Sequence, residues 1–347
     1  MSLIQTPYTL KGLKLKNRIV MPPMCQYSVE AEDGAPNDWH FVHYVSRAVG
    51  GTGLMIMEMT GVEPDGRITD QDLGLWDDAQ IPAYERIITE VHKHGTKMGI
   101  QIAHAGRKAE DAPQPVSPSS IPVDVIPEET KNGTLTPPRA LETHEVKRII
   151  SSFKEAAERA VKAGFDTIEL HGAHGYLIHQ FMSPSINNRT DEYGNLSKFG
   201  VDIIKAVKSV MPEQMPLIMR ISAIEYIDGG YDVDHSIKIA KEYQTAGVDL
   251  FHISTGGEGL PGKKKPLNTP AYQVPYARKF KDNLNVPVIA VGRLENPQVA
   301  ESVLSNGDAE LVAIARGMLN DPYWAMHAIK DIHKDVTPPK QYGRAIR

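Results

Sequence analysis

Two histidines three residues apart, with a tyrosine two positions further on, are the residues of this 347-residue chain best placed to do chemistry. They lie in Asp166-Thr167-Ile168-Glu169-Leu170-His171-Gly172-Ala173-His174-Gly175-Tyr176. Imidazole N–H groups can donate to a carbonyl oxygen on which negative charge develops, and a phenol beside them can supply a proton. His171, His174 and Tyr176 therefore suit a reaction that polarises a carbonyl and then protonates its carbon skeleton. Gly172 and Gly175 let the backbone turn tightly and approach a ligand. Glu169, two positions before His171, is read as facing the opposite side of its strand. No acidic group then joins the imidazoles, and no metal is expected, because a metal centre would want carboxylate or thiolate ligands.

Such a cluster needs a strand to deliver it. Thr167–Leu170 is a short apolar, β-branched run of the kind that forms a buried parallel strand, whose carboxyl end would present the histidines. Similar runs occur at Ile19–Met21, Leu54–Glu58, Lys97–Gln101, Leu217–Arg220, Leu250–Ile253, Val286–Ala290 and Leu311–Ile314. Amphipathic helical stretches alternate with them, at Trp39–Val49, Ile81–His94, Thr143–Ala163, Ser197–Met211, Asp234–Ala246, Tyr272–Leu284, Pro297–Ser305 and Pro322–Ile332. Thr143 reads as a helix cap and Gly164 as a stop. Eight βα units in series predict one α/β domain over residues 1–347, a (β/α)8 TIM barrel, with an N-terminal β-hairpin around Gly12 plugging one end. Two long connections, 107–142 after the third strand and 256–269 after the sixth, would emerge on the same face as the histidines.

The other strand ends carry further candidates. The first strand runs into Pro22-Pro23-Met24-Cys25-Gln26-Tyr27, and the third ends at Gln101 and leads to His104 and Lys108. Arg220 interrupts the apolar run of the fifth strand, and a buried guanidinium needs an anionic partner or many acceptors. Ser254 and Gly256 follow the sixth strand, Gly292-Arg293 the seventh, and Ala315-Arg316 the eighth. Small residues and arginines after strands seven and eight of a barrel suit a phosphate group. Lys263-Lys264-Lys265 reads as a solvated charge run.

Composition excludes several classes. A net charge of −5 gives no reason to expect nucleic acid or an anionic membrane as partner. The single cysteine, Cys25, excludes an internal disulfide and a cysteine-held cluster. The amino terminus shows no secretory pattern, so a cytoplasmic protein is expected. The residues alone leave three classes open: a carbonyl-polarising enzyme with a phosphorylated ligand, a metal-dependent barrel lyase or hydrolase using His171, His174 and His179, and a barrel that binds a phosphorylated ligand without turnover.

Longer words narrow the choice. Lys16-Asn17-Arg18-Ile19-Val20-Met21, Pro23-Met24-Cys25, His43-Tyr44-Val45-Ser46-Arg47-Ala48, Gly66-Arg67-Ile68-Thr69-Asp70-Gln71-Asp72, Gln101 through Lys108, His171 through Phe181, Asn188-Arg189-Thr190-Asp191-Glu192-Tyr193-Gly194 and Asp321-Pro322 together resemble the old yellow enzyme family of FMN-dependent ene reductases, in its thermophilic-like bacterial branch. The resemblance covers nearly the whole chain. It implies bound FMN reduced by NADPH, with enones, enals or related nitro compounds as acceptors. It implies that Pro22, Pro23, Met24, Cys25, Met59, Gln101, His171 and Arg220 lie at the flavin ring, and that Ser254, Gly256, Gly292, Arg293, Ala315 and Arg316 surround ribityl and phosphate. It makes His171 and His174 the oxygen clamp, Tyr176 the proton donor, Cys25 a tuner of the flavin, and Tyr27 and Lys108 the lining of the substrate site. Arg344, near the carboxyl end, is implied to enter a neighbouring copy's active site in a homo-oligomer. Met59 stands where the branch often has a small residue, Ala315 replaces a frequent glycine, and the segment after Gly194 is shorter than usual.

Overall fold

The computed structural model describes residues 2–124, 130, 133–262, 264–333 and 336–344. The chain opens with an antiparallel hairpin, β1 (Tyr8–Leu10) and β2 (Leu13–Leu15). Then come β3 (Ile19–Met21), β4 (Leu54–Gly61) with the short β5 (Leu73–Gly74) beside it, and β6 (Lys97–Ala103). The long connection after β6 holds a small parallel pair, β7 (Val116–Ser117) and β8 (Arg139–Ala140). The series continues with β9 (Thr167–Gly172), β10 (Leu217–Ser222), β11 (Leu250–Ser254), β12 (Val288–Ala290) and β13 (Leu311–Ala313). Strands β3, β4, β6, β9, β10, β11, β12 and β13 pair in parallel in that order, and β13 returns to β3, so the barrel closes. Closure removes the sheet edges, and burial on both faces explains why these strands read as near-continuous apolar runs.

Helices lie between and after the strands: α1 (Asp38–Val49), α2 (Ile81–Lys93), α3 (Thr143–Ala163), α4 (Leu177–Met182), α5 (Lys198–Lys208), α6 (Val233–Ala246), α7 (Val274–Asn283), α8 (Pro297–Ser305), α9 (Arg316–Asn320) and α10 (Trp324–His333). The bounds expected for α3 and α8 agree with those observed. The start of α3 is nevertheless built differently: Glu142 is the N-cap, in a reciprocal capping box with Glu145, and Thr143 is the first helical residue. Its hydroxyl donates to Asp191 Oδ2 at 2.6 Å instead of capping. Gly164 does end the helix, in the left-handed conformation with φ 92°. α4 and α9 were not expected, since six and five residues are too few to display a helical period. None of the described helices is long and apolar enough to cross a membrane.

Two apolar layers hold the barrel. The larger lies between strands and helices, and the smaller fills the barrel interior. Leu13 and Leu15 of the hairpin join Val20, Leu54, Ile218 and Leu250 in that inner layer, so the hairpin plugs the end opposite the histidines. Leu15 is buried, and truncation there would leave a cavity that no neighbouring helix can fill. Leu15→Ala should lower stability by about 2–5 kcal/mol, read as a shift of the denaturant midpoint without a change of slope.

Candidate active site

At the open end of the barrel, strand register sets the site. Arg220 on β10 pairs with His171 on β9 on one side and with His252 on β11 on the other. One turn of the pleat deeper, Gln101 on β6 pairs with Glu169. Residues two apart on a strand share a face, and the expectation that Glu169 points away from His171 is therefore wrong. Its side chain is fully buried, accepting from Gln101 Nε2 at 2.8 Å and lying 2.8 Å from His252 Nδ1. A polar floor of Gln101, Glu169 and His252 thus underlies Arg220, whose guanidinium is buried with Nε lacking a hydrogen-bond partner among the described residues. A buried, incompletely satisfied guanidinium in a polar cleft fits an acceptor-rich or anionic ligand group.

His171 is the penultimate residue of β9, and its Nδ1 accepts from the Ala173 N–H at 3.3 Å, which leaves the proton on Nε2 as a donor. Its ring meets those of His174 and Tyr176 edge-on, with centroids 5.1 and 4.8 Å away. Burial first, and the Arg220 charge second, hold both imidazoles well below the usual histidine range. They are therefore neutral donors near pH 7. Burial pushes the Tyr176 phenol well above its ordinary value, so the group stays protonated. His174 is held at φ 59°, an uncommon conformation for a residue with a side chain. Its N–H donates to Ser222 Oγ at 3.1 Å, and its Nε2 lies 2.7 Å from Ser254 Oγ. The remote nitrogen of His174 is therefore engaged within the protein, and His171 has the more available donor.

The other expected residues surround this centre unequally. Pro22 and Pro23 are buried, Met24 and Cys25 half-buried, and Tyr27 exposed with φ 48°. Cys25 and Tyr176 pack on one small apolar cluster with Met59 and Ala103. Burial pushes the Cys25 thiol well up, and the Asp72 and Glu58 charges add to the effect, so it is a thiol and not a ready nucleophile. Lys108 Nζ donates to the carbonyls of His174, at 3.0 Å, and of Gly257, and lies 5.8 Å from the Tyr176 ring centroid. The two long connections do meet above the centre. Glu110 and Asp124 from one, and Gly259 and Leu260 from the other, help to enclose a cavity of about 420 Å³ with Tyr27 and Tyr176.

The expected phosphate-binding residues show a mixed picture. Gly256 and Gly292 have φ 68° and 118°, and a Cβ on Gly292 would stand 2.7 Å from Gln273 Nε2, so backbone approach there depends on glycine. Ala315 and Arg316 open α9, with Arg316 exposed. Arg293 takes φ 54° but donates from Nε to Glu295 and from Nη1 to Asn268, so only part of its guanidinium is left for a ligand. Lys264 and Lys265 are exposed, while Lys263 lies outside the described residues. Arg344 is exposed, and residues 345–347 also lie outside the described residues.

Two groups were missed. Glu58 occupies a bulge in β4, between Met57 opposite Ile100 and Met59 opposite Gln101. Tyr44 satisfies the bulge, accepting from Glu58 N–H at 2.9 Å and donating to Glu58 Oε1 at 3.0 Å. Glu58 Oε2 then accepts the Gln26 N–H at 2.6 Å, anchoring the segment between Cys25 and Tyr27. A carboxylate in the middle of the apolar run Leu54–Met59 was the available signal. The second group is a buried cluster of His179, Glu225 and Glu258, whose ligand-type atoms lie within 4.8 Å of one another. It does not include His171 or His174, so the three-histidine metal centre does not form. Gly175 N–H donates to His179 Nδ1 at 3.2 Å, which places the proton on Nε2, the nitrogen facing both carboxylates. With Nε2 protonated, His179 presents no lone pair to a cation, and Arg107 is paired to one oxygen of Glu258, while Arg107 Nε and Glu258 Oε2 are buried without a hydrogen-bond partner among the described residues.

Comparisons with known proteins show the family and the fold. The model of the NADH:flavin oxidoreductase / NADH oxidase family matches residues 4–335. An NADPH dehydrogenase of Listeria innocua is 46% identical over 349 residues, spanning 99% of each chain. Among solved structures, morphinone reductase superposes with a TM-score of 0.80 at 26% identity, over 98% of this chain and 92% of its own. The old yellow enzyme homologue from Zymomonas mobilis does so with a TM-score of 0.82 at 26% identity, over 97% and 94%.

Burial pushes Glu58 up to about 8 and Asp72 up to about 7. The native state therefore retains protons that the unfolded chain releases, and unfolding becomes easier as pH rises. This contribution is complete below the unfolded carboxyl range, near 4.5 for Glu58, and is lost as pH climbs through the folded value. Glu58→Gln should flatten the fall in stability between about pH 5 and 8 by up to about 1 kcal/mol per pH unit, measured by urea unfolding across that range.

Proposed function

Because the chain belongs to the NADH:flavin oxidoreductase / NADH oxidase family, matched over residues 4–335, we propose that it is an FMN-dependent NADPH dehydrogenase that reduces the activated double bond of α,β-unsaturated carbonyl or related nitro compounds. The observation that carries this reading is the buried Arg220 guanidinium with an unpartnered Nε, set in strand register beside the His171 imidazole. Pro22, Pro23, Met24, Cys25, Met59, Gln101 and Arg220 would hold the flavin ring. Ser254, Gly256, Gly292, Arg293, Ala315 and Arg316 would hold its ribityl phosphate, with Ser254 released from His174 to do so. FMN held there would supply the two-electron chemistry, hydride transfer from NADPH to the β-carbon of an acceptor.

The chain's own residues supply placement and protons. His171 Nε2–H donates to the carbonyl oxygen as negative charge gathers there, and a neutral imidazole does this without costing a buried positive charge. His174 completes the clamp when its ring leaves Ser254. Tyr176, protonated at neutral pH, delivers its proton to the α-carbon. Tyr27 and Lys108 line the substrate side, and the Lys108 ammonium, bound to two loop carbonyls, fixes the entrance. Arg344, from a neighbouring copy in a homo-oligomer, would close the pocket, since its fork stays charged and can stack on a ring. The whole chain acts as one cytoplasmic barrel domain in this reading. A barrel that only stores a phosphorylated ligand would not oxidise NADPH.

The absorbance spectrum of the purified protein tests the class: flavin bands that bleach anaerobically with NADPH are expected, and a colourless, metal-bearing protein would refute it. His171→Ala should slow enone reduction by about 100-fold through loss of an oxyanion donor. Tyr176→Phe should slow reoxidation of the flavin by enone in stopped flow while leaving its reduction by NADPH intact, and equal slowing of both would remove the proton-donor role.

A further inference from the structure

Beneath the turn that joins His174 to Tyr176, four ionisable side chains with no part in the chemistry above are buried together. His179 and Glu258 are 0% exposed, Glu225 1% and Arg107 2%. They arrive on four different connections: Arg107 after β6, His179 on α4 after β9, Glu225 after β10 and Glu258 after β11. His179 Nε2 lies 3.0 Å from Glu225 Oε1 and 3.4 Å from Glu258 Oε2. The second oxygen of Glu225 accepts the Tyr231 N–H at 2.7 Å, and Arg107 donates to the other oxygen of Glu258. Burying two carboxylates against one guanidinium is expensive, and such a group persists when the geometry it enforces matters.

That geometry concerns one residue. Gly175 gives its N–H to His179 Nδ1 at 3.2 Å and its carbonyl to Gln180 Nε2 at 2.8 Å. Both polar groups of Gly175 are thus held by adjacent side chains of α4. Gly175 has φ 74°, and a Cβ there would lie 2.7 Å from the Gly257 carbonyl and 2.8 Å from Lys108 Nζ. Gly175 is the only residue between His174 and Tyr176, so any rotation of its peptide units moves both side chains. An imidazole can hold this N–H only while its Nδ1 is bare, and the two carboxylates fix that tautomer by drawing the proton to Nε2.

We propose that His179, oriented by Glu225 and Glu258, is a positioning residue for the Tyr176 phenol and the His174 imidazole. It touches neither substrate nor flavin, and it acts by holding Gly175. The role rests on the reading of Tyr176 as proton donor. Protonation of His179 at Nδ1 would set two N–H groups against each other and release the turn.

Histidine ¹⁵N NMR of the FMN-loaded wild type, with amide hydrogen exchange at Gly175, tests the mechanism without relying on turnover. The expected result is His179 as the Nε2–H tautomer at pH 7–8 and a slowly exchanging Gly175 amide. A proton on His179 Nδ1, or an unprotected Gly175 amide, overturns the proposal. Turnover gives a second arm. His179→Leu should slow flavin reoxidation by enone on the order of tenfold to a hundredfold with NADPH reduction unchanged, and His179→Gln, which offers one acceptor and one donor, should recover most of the loss. Wild-type reoxidation in a folded, FMN-loaded His179→Leu, or parallel loss of both half-reactions, also overturns it. Should His179→Leu fail to fold, the tautomer and the exchange rate still decide. Failure of the Tyr176 reading shows separately, in Tyr176→Phe.

Discussion

Placing the Arg220 guanidinium inside the barrel mouth is the constraint to which the rest of the site responds. A buried cation lowers the proton affinity of every imidazole near it, and Arg220 is the leading charge acting on both His171 and His174. Together with burial, the larger effect, it keeps them neutral, and neutral imidazoles can donate to an oxygen without adding further buried charge. Its own cost is reduced by Glu169 below, whose carboxylate is the largest charge favouring the guanidinium. Gln101 and His252 pin that carboxylate in turn. One polar layer across four strands thus sets the electrical state of the residues above it.

Above that layer the loops are fixed to one another more than to solvent. Ser222 Oγ joins the connections after β9, β10 and β11, accepting from His174 N–H and donating to the Gly256 carbonyl at 2.8 Å. Lys108 ties the connection after β6 to the same place. The bulge at Glu58 performs the equivalent task for the segment carrying Cys25 and Tyr27. Rigid strands deliver the side chains, and short polar clamps remove the remaining freedom of the loops, which is the arrangement that preorganised catalysis requires.

Much of this was legible in the chain because the signals were local. Alternation of apolar runs with amphipathic stretches predicts eight strands and the principal helices, and the glycine-spaced His171, His174 and Tyr176 stand out without neighbours. What was not legible is non-local or below the period. Glu169 shares the face of His171 because residues two apart on a strand do, and its partners Gln101 and His252 lie on other strands. Glu225 and Glu258 look like ordinary loop acids until the barrel brings them to His179. α4 and α9 are too short to show a helical repeat, and Thr143 was assigned a capping role that Glu142 performs.

The junction of Arg107, His179, Glu225 and Glu258 bears on how such a scaffold can be diversified. Loop exchange treats the connections after barrel strands as separable modules, each transplanted to change what the cavity accepts. Here the connection after β11 carries the carboxylate that neutralises an arginine from the connection after β6. Replacing either alone strands a buried charge, at a cost of about 3–5 kcal/mol. The connections after β6 and β11 therefore have to be exchanged together, and recombination libraries built one segment at a time would be depleted in folded members for reasons unrelated to substrate fit.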